Sequence, residues 1–201
     1  MSDLKGIRVA ILATDGVEQS ELTEPRKFLD QLGAETTLLS PKTGQIQAMQ
    51  HDEKSEKLKV DRVIEGADPN EFDAVLLPGG ALNADQLRID KDAQRFVQVI
   101  DQAQKPIAVI CHGPLLLISA GLTKGRKMTS YKTIQDDVRN SGAEWTDEQL
   151  VRDRNWVSSR QPSDIPAFNR GIAELFTQNL PYIQMEGERR VELIQHVVGE
   201  D

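Results

Sequence analysis

Four short apolar runs, at Gly6–Thr14, Thr36–Leu39, Phe72–Leu77 and Pro106–Ile110, are separated by longer segments, two of them with helical spacing. Each run reads as a strand buried on both faces and is too short to cross a membrane. Between the first two, Glu21–Leu32 puts Leu22, Phe28, Leu29 and Leu32 on one helical face. Gly33 follows where a helix C-terminal glycine belongs, and Pro25 is expected to kink or restart the helix. Asp92–Gln104 is helical through Phe96, Val97 and Ile100. Strands that alternate with helices of this length need crossover connections, so an α/β fold with a mainly parallel sheet is predicted. Further helices are predicted at Leu115–Ala120, Lys132–Ser141 and Ile165–Leu180, with a hairpin pairing 149–152 and 156–159. Lys42–Val60 is polar with weak alternation and reads as a hairpin or surface excursion.

A length of 201 residues suits one domain, or one domain with a small appendage. One cysteine forbids an internal disulfide, and with three histidines it leaves no Cys/His zinc cluster, so no metal is expected. The net charge of −8 and the 4% aromatic content argue against a phosphate-backbone or base-stacking surface, so nucleic acid is not an expected partner. The run Ile7–Ala13 lacks the small-residue cleavage site of a signal peptide, which places the protein in the cytoplasm with no membrane partner.

In open α/β sheets the ligand crevice lies beyond the carboxyl ends of the strands. Asp15–Glu21, Pro78–Asp85 and Cys111–Pro114 are the segments that end there with suggestive chemistry. Cys111 falls directly after a strand and directly before a helix, a sharp turn that lifts a side chain out of the sheet edge. Gly113 permits the close backbone approach such a turn needs. A helix N-terminus favours thiolate over thiol, so a depressed Cys111 pKa is expected. The bland alternative is a small buried apolar residue. His112 is the histidine beside this elbow, but adjacent side chains on a helix diverge and it needs a charge partner to act as a base. Glu18 and Glu21, taken alone, read as acids that complement a helix dipole.

Several motifs together resemble the PfpI family, in the DJ-1/PfpI branch of the class I glutamine amidotransferase-like superfamily. They are Glu18-x-x-Glu21-Leu22, Glu71-Phe72-Asp73-Ala74 leading to Leu77-Pro78-Gly79-Gly80, and above all Ile110-Cys111-His112-Gly113-Pro114. Leu117-Ile118-Ser119-Ala120-Gly121, Gly125-Arg126-Lys127, Thr129-Ser130-Tyr131 and Trp156-Val157-Ser158-Ser159-Arg160 extend the likeness. It implies a PfpI-like domain over residues 1–181, with 182–201 as a helical C-terminal extension. The implied fold is a flavodoxin-like three-layer α/β/α sandwich.

By motif position the resemblance makes Cys111 the nucleophile and Glu21 a protonated acid bonded to its sulfur. His112 becomes the catalytic histidine, and Asp85, on the loop of a neighbouring subunit, its acidic partner. Gly80 and His112 supply oxyanion-hole amides, and Glu18, Gly79, Gly113 and Tyr131 frame the pocket. The implied activity is a cysteine hydrolase that needs no cofactor. It would act on methylglyoxal or glyoxal, or on their adducts with Cys, Lys and Arg groups. The implied partner is a second copy of the chain, as a dimer or dimer-based hexamer. An intracellular cysteine protease and a redox-responsive or chaperone-like stress protein are the alternatives. An amidotransferase role is disfavoured, because His196 is the late histidine and no His-x-Glu pair accompanies it.

Overall fold

The computed structural model describes residues 4–179. In chain order the elements are β1 (Arg8–Leu12), β2 (Val17–Glu18), α1 (Gln19–Gln31), β3 (Glu35–Ser40), β4 (Gln45–Gln50), β5 (Glu53–Lys59) and β6 (Arg62–Val63). Then come β7 (Ala74–Leu77), α2 (Ala81–Leu87), α3 (Lys91–Gln102), β8 (Ile107–Ile110), α4 (Pro114–Ser119), β9 (Lys127–Met128) and α5 (Gln135–Asn140). Last are β10 (Glu144–Trp145), β11 (Leu150–Asp153), β12 (Trp156–Ser159) and α6, over 165–179.

The central sheet has seven strands in the order β11-β12-β8-β7-β1-β3-β6. All its pairings are parallel except β11 against β12. Its five principal strands follow the flavodoxin-like order second, first, third, fourth, fifth, as the resemblance implied. The chain winds outward from β1 through β3 to β6, then crosses to β7 and winds the other way. The switch point therefore lies between β1 and β7.

Successive side chains on a strand point to opposite faces, and both faces are apolar. Val9 and Ile11 of β1 face α1 and α6, where they meet Leu22, Leu29, Phe168, Ile172 and Phe176. Ala10 and Leu12 face α3 and α4, where they meet Phe96, Val97, Ile100, Leu116 and Leu117. The result is helices on both sides of one buried sheet.

Three local features depart from the sequence reading. α1 runs through Pro25 as one helix and is not restarted; the missing N–H only leaves the Glu21 carbonyl without its usual donor. Lys132–Ser141 divides into a short 3₁₀ turn over Lys132–Ile134 and then α5. The segment after Gly80, read as a loop, is helix α2. Lys42–Val60 is the expected hairpin, β4 with β5, but β4 also pairs with β2 in a separate three-stranded sheet. The expected amphipathic segment 189–198, and the extension 182–201 that holds it, lie outside the described residues. No helix among the described residues is long and apolar enough to cross a membrane.

The docking of α6 rests on Phe168, which has no exposed surface. Phe168→Ala should cost about 3–5 kcal/mol in urea unfolding. A loss below about 1 kcal/mol would mean that α6 is not part of the cooperative core.

Candidate active site

β7 lies between β1 and β8 in the sheet, so the segments leaving these three strands converge at one edge. From β8 the chain enters Cys111 with φ +62°, the left-handed region that side chains disfavour. Two hydrogen bonds hold it there: Cys111 N–H donates to the Ser159 carbonyl at 3.1 Å, and Tyr131 N–H donates to the Cys111 carbonyl at 2.9 Å. Gly113 makes the turn possible. A Cβ there would stand 2.7 Å from the Leu77 carbonyl oxygen and 3.0 Å from that of Ile110.

Glu21 reaches the same place from the first turn of α1 and is fully buried. Its Oε2 accepts the Gly79 N–H at 2.8 Å. Among the described residues its Oε1 is buried without a hydrogen-bond partner, and the carboxyl lies beside the Cys111 thiol. An unpartnered buried carboxylate oxygen is costly, and a proton turns it into a donor. Burial pushes the Glu21 carboxyl up to about 8, and the Glu18 charge adds to the rise. The Gly79 N–H and Cys111 act in the opposite direction.

The Cys111 thiol is also pushed up, well beyond its ordinary range, and not down as the helix N-terminus suggested. Burial is the largest cause, followed by the charge and hydrogen bonding of Glu21. The backbone N–H groups of Gly80 and His112 pull the other way. The dipole contributes little, because α4 has only six residues and Cys111 precedes its N-cap, Gly113. Two buried acids in contact do not both ionise, so a thiolate exists here only while Glu21 keeps its proton.

His112 does face the thiol, with Nδ1 3.2 Å from Cys111 Sγ. Its Nε2 lies 3.2 Å from Thr133 Oγ1. Burial lowers its pKa, which favours the neutral ring. Tyr131 packs on it with ring centroids 5.1 Å apart.

These groups open into a pocket of about 660 Å³, lined also by Glu18, His51, Asp52, Gly80, Ala81, Gln161, Pro162 and Ser163. A second, polar hollow of about 340 Å³ shares Glu18, His51 and Pro162 with it as lining. Of the residues expected here, Cys111, His112, Glu21, Glu18, Gly80 and Tyr131 line the pocket. Gly79 and Gly113 do not line it; they sit behind it as backbone supports. Asp85 is exposed on α2 and does not reach His112 of its own chain.

Thr133, His51 and Asp52 escaped the sequence reading. Thr133 follows Tyr131 by two residues and carried no motif. His51 and Asp52 form the tip of the β4–β5 hairpin, where the His51 N–H donates to Glu18 Oε2 at 3.0 Å. Among the described residues no cluster of three His, Cys, Asp or Glu side chains is arranged to hold a metal ion.

Residues 7–175 match the profile of the DJ-1/PfpI family. The chain is 42% identical over 169 residues to deglycase TK1284 of Thermococcus kodakarensis, an alignment spanning 84% of this chain and 99% of that one. It is also 42% identical over 169 residues to protein/nucleic acid deglycase 2 of Escherichia coli, spanning 84% and 96%. A solved two-domain protein from Anabaena variabilis, with DJ-1/ThiJ/PfpI-like and ferritin-like domains, is similar with a TM-score of 0.79 at 34% identity. That match covers 84% of this chain and 47% of the larger one, so the chain spans about half its length.

Glu21→Gln tests the coupled pair. The native fold binds the Glu21 proton more tightly than the unfolded chain does. Its contribution to stability is therefore complete below about pH 4.5 and lost as pH rises to about 8, at most about 5 kcal/mol. The variant cannot ionise, so this part of the decline in thermal stability from pH 5 to 8 should vanish. Its amide also brings no charge to the sulfur, so iodoacetamide should alkylate Cys111 with a midpoint about one pH unit or more below wild type. An unchanged midpoint would disprove the coupling.

Proposed function

The chain belongs to the DJ-1/PfpI family, and on that footing we propose that it is a cysteine-dependent hydrolase of reactive carbonyls and their early adducts on amines and thiols. The observation that carries this reading is the contact between Cys111 Sγ and His112 Nδ1 at 3.2 Å, beside the buried Glu21. A neutral imidazole at that distance takes the thiol proton as sulfur attacks. The deglycase names of the two relatives point to the same chemistry.

The reaction balances without an external oxidant. Sulfur adds to the aldehyde carbon of methylglyoxal, and the S–H proton passes to His112. With an adduct, the new C–S bond replaces the bond to the carrier amine or thiol, which leaves with that proton. The N–H groups of Gly80 and His112 hold the oxygen as charge develops on it. Transfer of the carbon-bound hydrogen to the neighbouring ketone carbon oxidises one carbon and reduces the other, leaving a thioester. Water cleaves the thioester to lactate and returns the thiol. Glu21 stays protonated and keeps a second negative charge away from the sulfur.

The pocket volume favours adducts over free aldehyde alone. About 660 Å³ suits a drug-sized ligand and is far more than methylglyoxal fills. Chemistry that depends on a reduced thiol fits the cytoplasm. We take residues 1–181 as the catalytic domain and 182–201 as an appended segment, in keeping with the family match over 7–175. We also take the active form to be a homo-oligomer built from dimers. Leu82 in α2 and Ile89 in the turn after it, 61% and 74% exposed, bracket Asp85 on the segment that begins at the pocket residues Gly80 and Ala81. A second copy covering them would bring an acid to the mouth of the site.

Product analysis with methylglyoxal and a glycated peptide tests the activity. Wild type should form lactate, and Cys111→Ser should lose on the order of 10⁴-fold or more in rate. Equal rates for the two proteins would end the hydrolase reading. For assembly, inactive Cys111→Ser chains are mixed with Asp85→Ala chains, which should be slowed about 10²- to 10⁴-fold. Hybrid dimers hold one intact site, so activity should partly return. No recovery despite demonstrated subunit exchange would remove Asp85 from the mechanism.

A further inference from the structure

Asn83 in α2 has no exposed surface, yet all its hydrogen bonds run to backbone on either side of the site. Its Oδ1 accepts the Thr14 N–H at 2.7 Å, at the exit of β1. Its Nδ2 donates to the Gly79 carbonyl at 2.9 Å and to the Pro78 carbonyl at 3.3 Å. The donor at Thr14 and the acceptors at 78 and 79 fix which way the amide lies. The Gly79 carbonyl accepts a second bond, from the Glu18 N–H at 3.4 Å.

Every peptide among the described residues is trans. In a trans peptide the carbonyl and the following N–H point oppositely across one rigid plane. The carbonyl of Gly79 is anchored on Asn83, so the N–H of Gly80 points away from it. Cys111 is packed against this peptide: a Cβ on Gly79 would lie 2.6 Å from the Cys111 Cβ. The Gly80 N–H is one of the two backbone donors acting on the sulfur. Gly80 itself has φ +86°, where no side-chain constraint resists rotation of the plane. Something else must hold it.

We propose that Asn83 is a positioning residue: by gripping the Gly79 carbonyl from behind, it aims the Gly80 N–H at the sulfur and at the oxyanion formed there. Asn83 touches no substrate. It acts through one peptide plane. The alternative is a purely structural tie between the β1 exit and the glycine loop.

The charged and titratable groups around the sulfur are Glu21 from α1, with Glu18 beyond it, His112 and Tyr131 from their own turns, and, on the pocket wall, His51 and Asp52 from the hairpin tip. The test therefore uses uncharged replacements. Asn83→Leu and Asn83→Ala remove the grip without adding charge. The readout is the pH midpoint of Cys111 alkylation by iodoacetamide, with thermal stability measured alongside. Phe168→Ala, destabilised away from this loop, shows what general loosening does. Loss of an aimed N–H should raise the midpoint by about half a unit to one unit in both Asn83 variants, and leave it unmoved in Phe168→Ala. In turnover of methylglyoxal, kcat should fall about 10- to 100-fold with KM little changed.

The kinetic arm rests on the hydrolase reading and the titration does not. A wild type that turns over nothing would refute that reading while the midpoints still decide the role of Asn83. Folded Asn83 variants with an unmoved midpoint would overturn the proposal, whatever their stability. Should neither variant fold, the Gly80 amide of ¹⁵N-labelled wild type gives the answer. Its proton resonance should follow the thiol titration and lose that response in Cys111→Ser. A resonance that ignores the thiol would refute the positioning role.

Discussion

A carboxyl group with no access to water must either find cations or stay neutral, and among the described residues Glu21 has no cation beside it. What it has is one backbone N–H, from Gly79, and one thiol. That shortage shapes the rest of the site. Glu21 keeps its proton, the proton can be offered to sulfur, and the charge of the pair is limited to one. The ring of His112 lies 3.2 Å from the sulfur, where the proposed mechanism needs a base. The arrangement converts a buried acid, ordinarily a liability, into a device that keeps a second charge off the Cys111 sulfur.

Holding these groups together takes backbone more than side chains. Gly79 has no room for a side chain, because a Cβ would stand 2.5 Å from Glu21 Oε2 and 2.9 Å from the His112 nitrogen. Cys111 carries a left-handed backbone that glycine would adopt freely, and hydrogen bonds at both its peptide groups hold it, one to Ser159 of β12 and one from Tyr131 in the loop before the 3₁₀ turn. Strain of this kind, of order 1–3 kcal/mol, persists only where the surroundings over-determine it. The apolar sheet supplies that rigidity. β1, β7 and β8 are buried on both faces, and their ends are fixed relative to one another by parallel pairing.

Much of this was readable in the amino-acid order. Apolar runs and breakers marked the principal strands, because a strand buried on both faces has little choice but to be continuously apolar. Cys111 and Gly113 declared the elbow, since few other sequences join a buried strand to a helix without a spacer. What escaped depended on contacts between distant segments. α2 was missed because Ala81-Leu82-Asn83-Ala84 after two glycines shows no clear amphipathic period. Leu82 is exposed while its neighbour Asn83 is buried. The direction of the Cys111 shift was misjudged for a related reason. A helix terminus can be seen in sequence, whereas burial against a carboxyl carried by another helix cannot. His51 and Asp52 reach the pocket, and Thr133 reaches His112, from separate turns that no local spacing connects to Cys111.

The hairpin of β4 and β5 belongs to a sheet of its own, with β2, and not to the seven-stranded sheet. Cys111 and the pocket wall bearing His51 and Asp52 are thus built on different platforms. Changes in the length or sequence of the hairpin tip alter the wall without passing through the strands that hold Cys111. Such a division lets the range of accepted molecules drift while the reacting groups stay in register. In an evolving lineage, or in a designed library, the hairpin is the part that can be exchanged as a module.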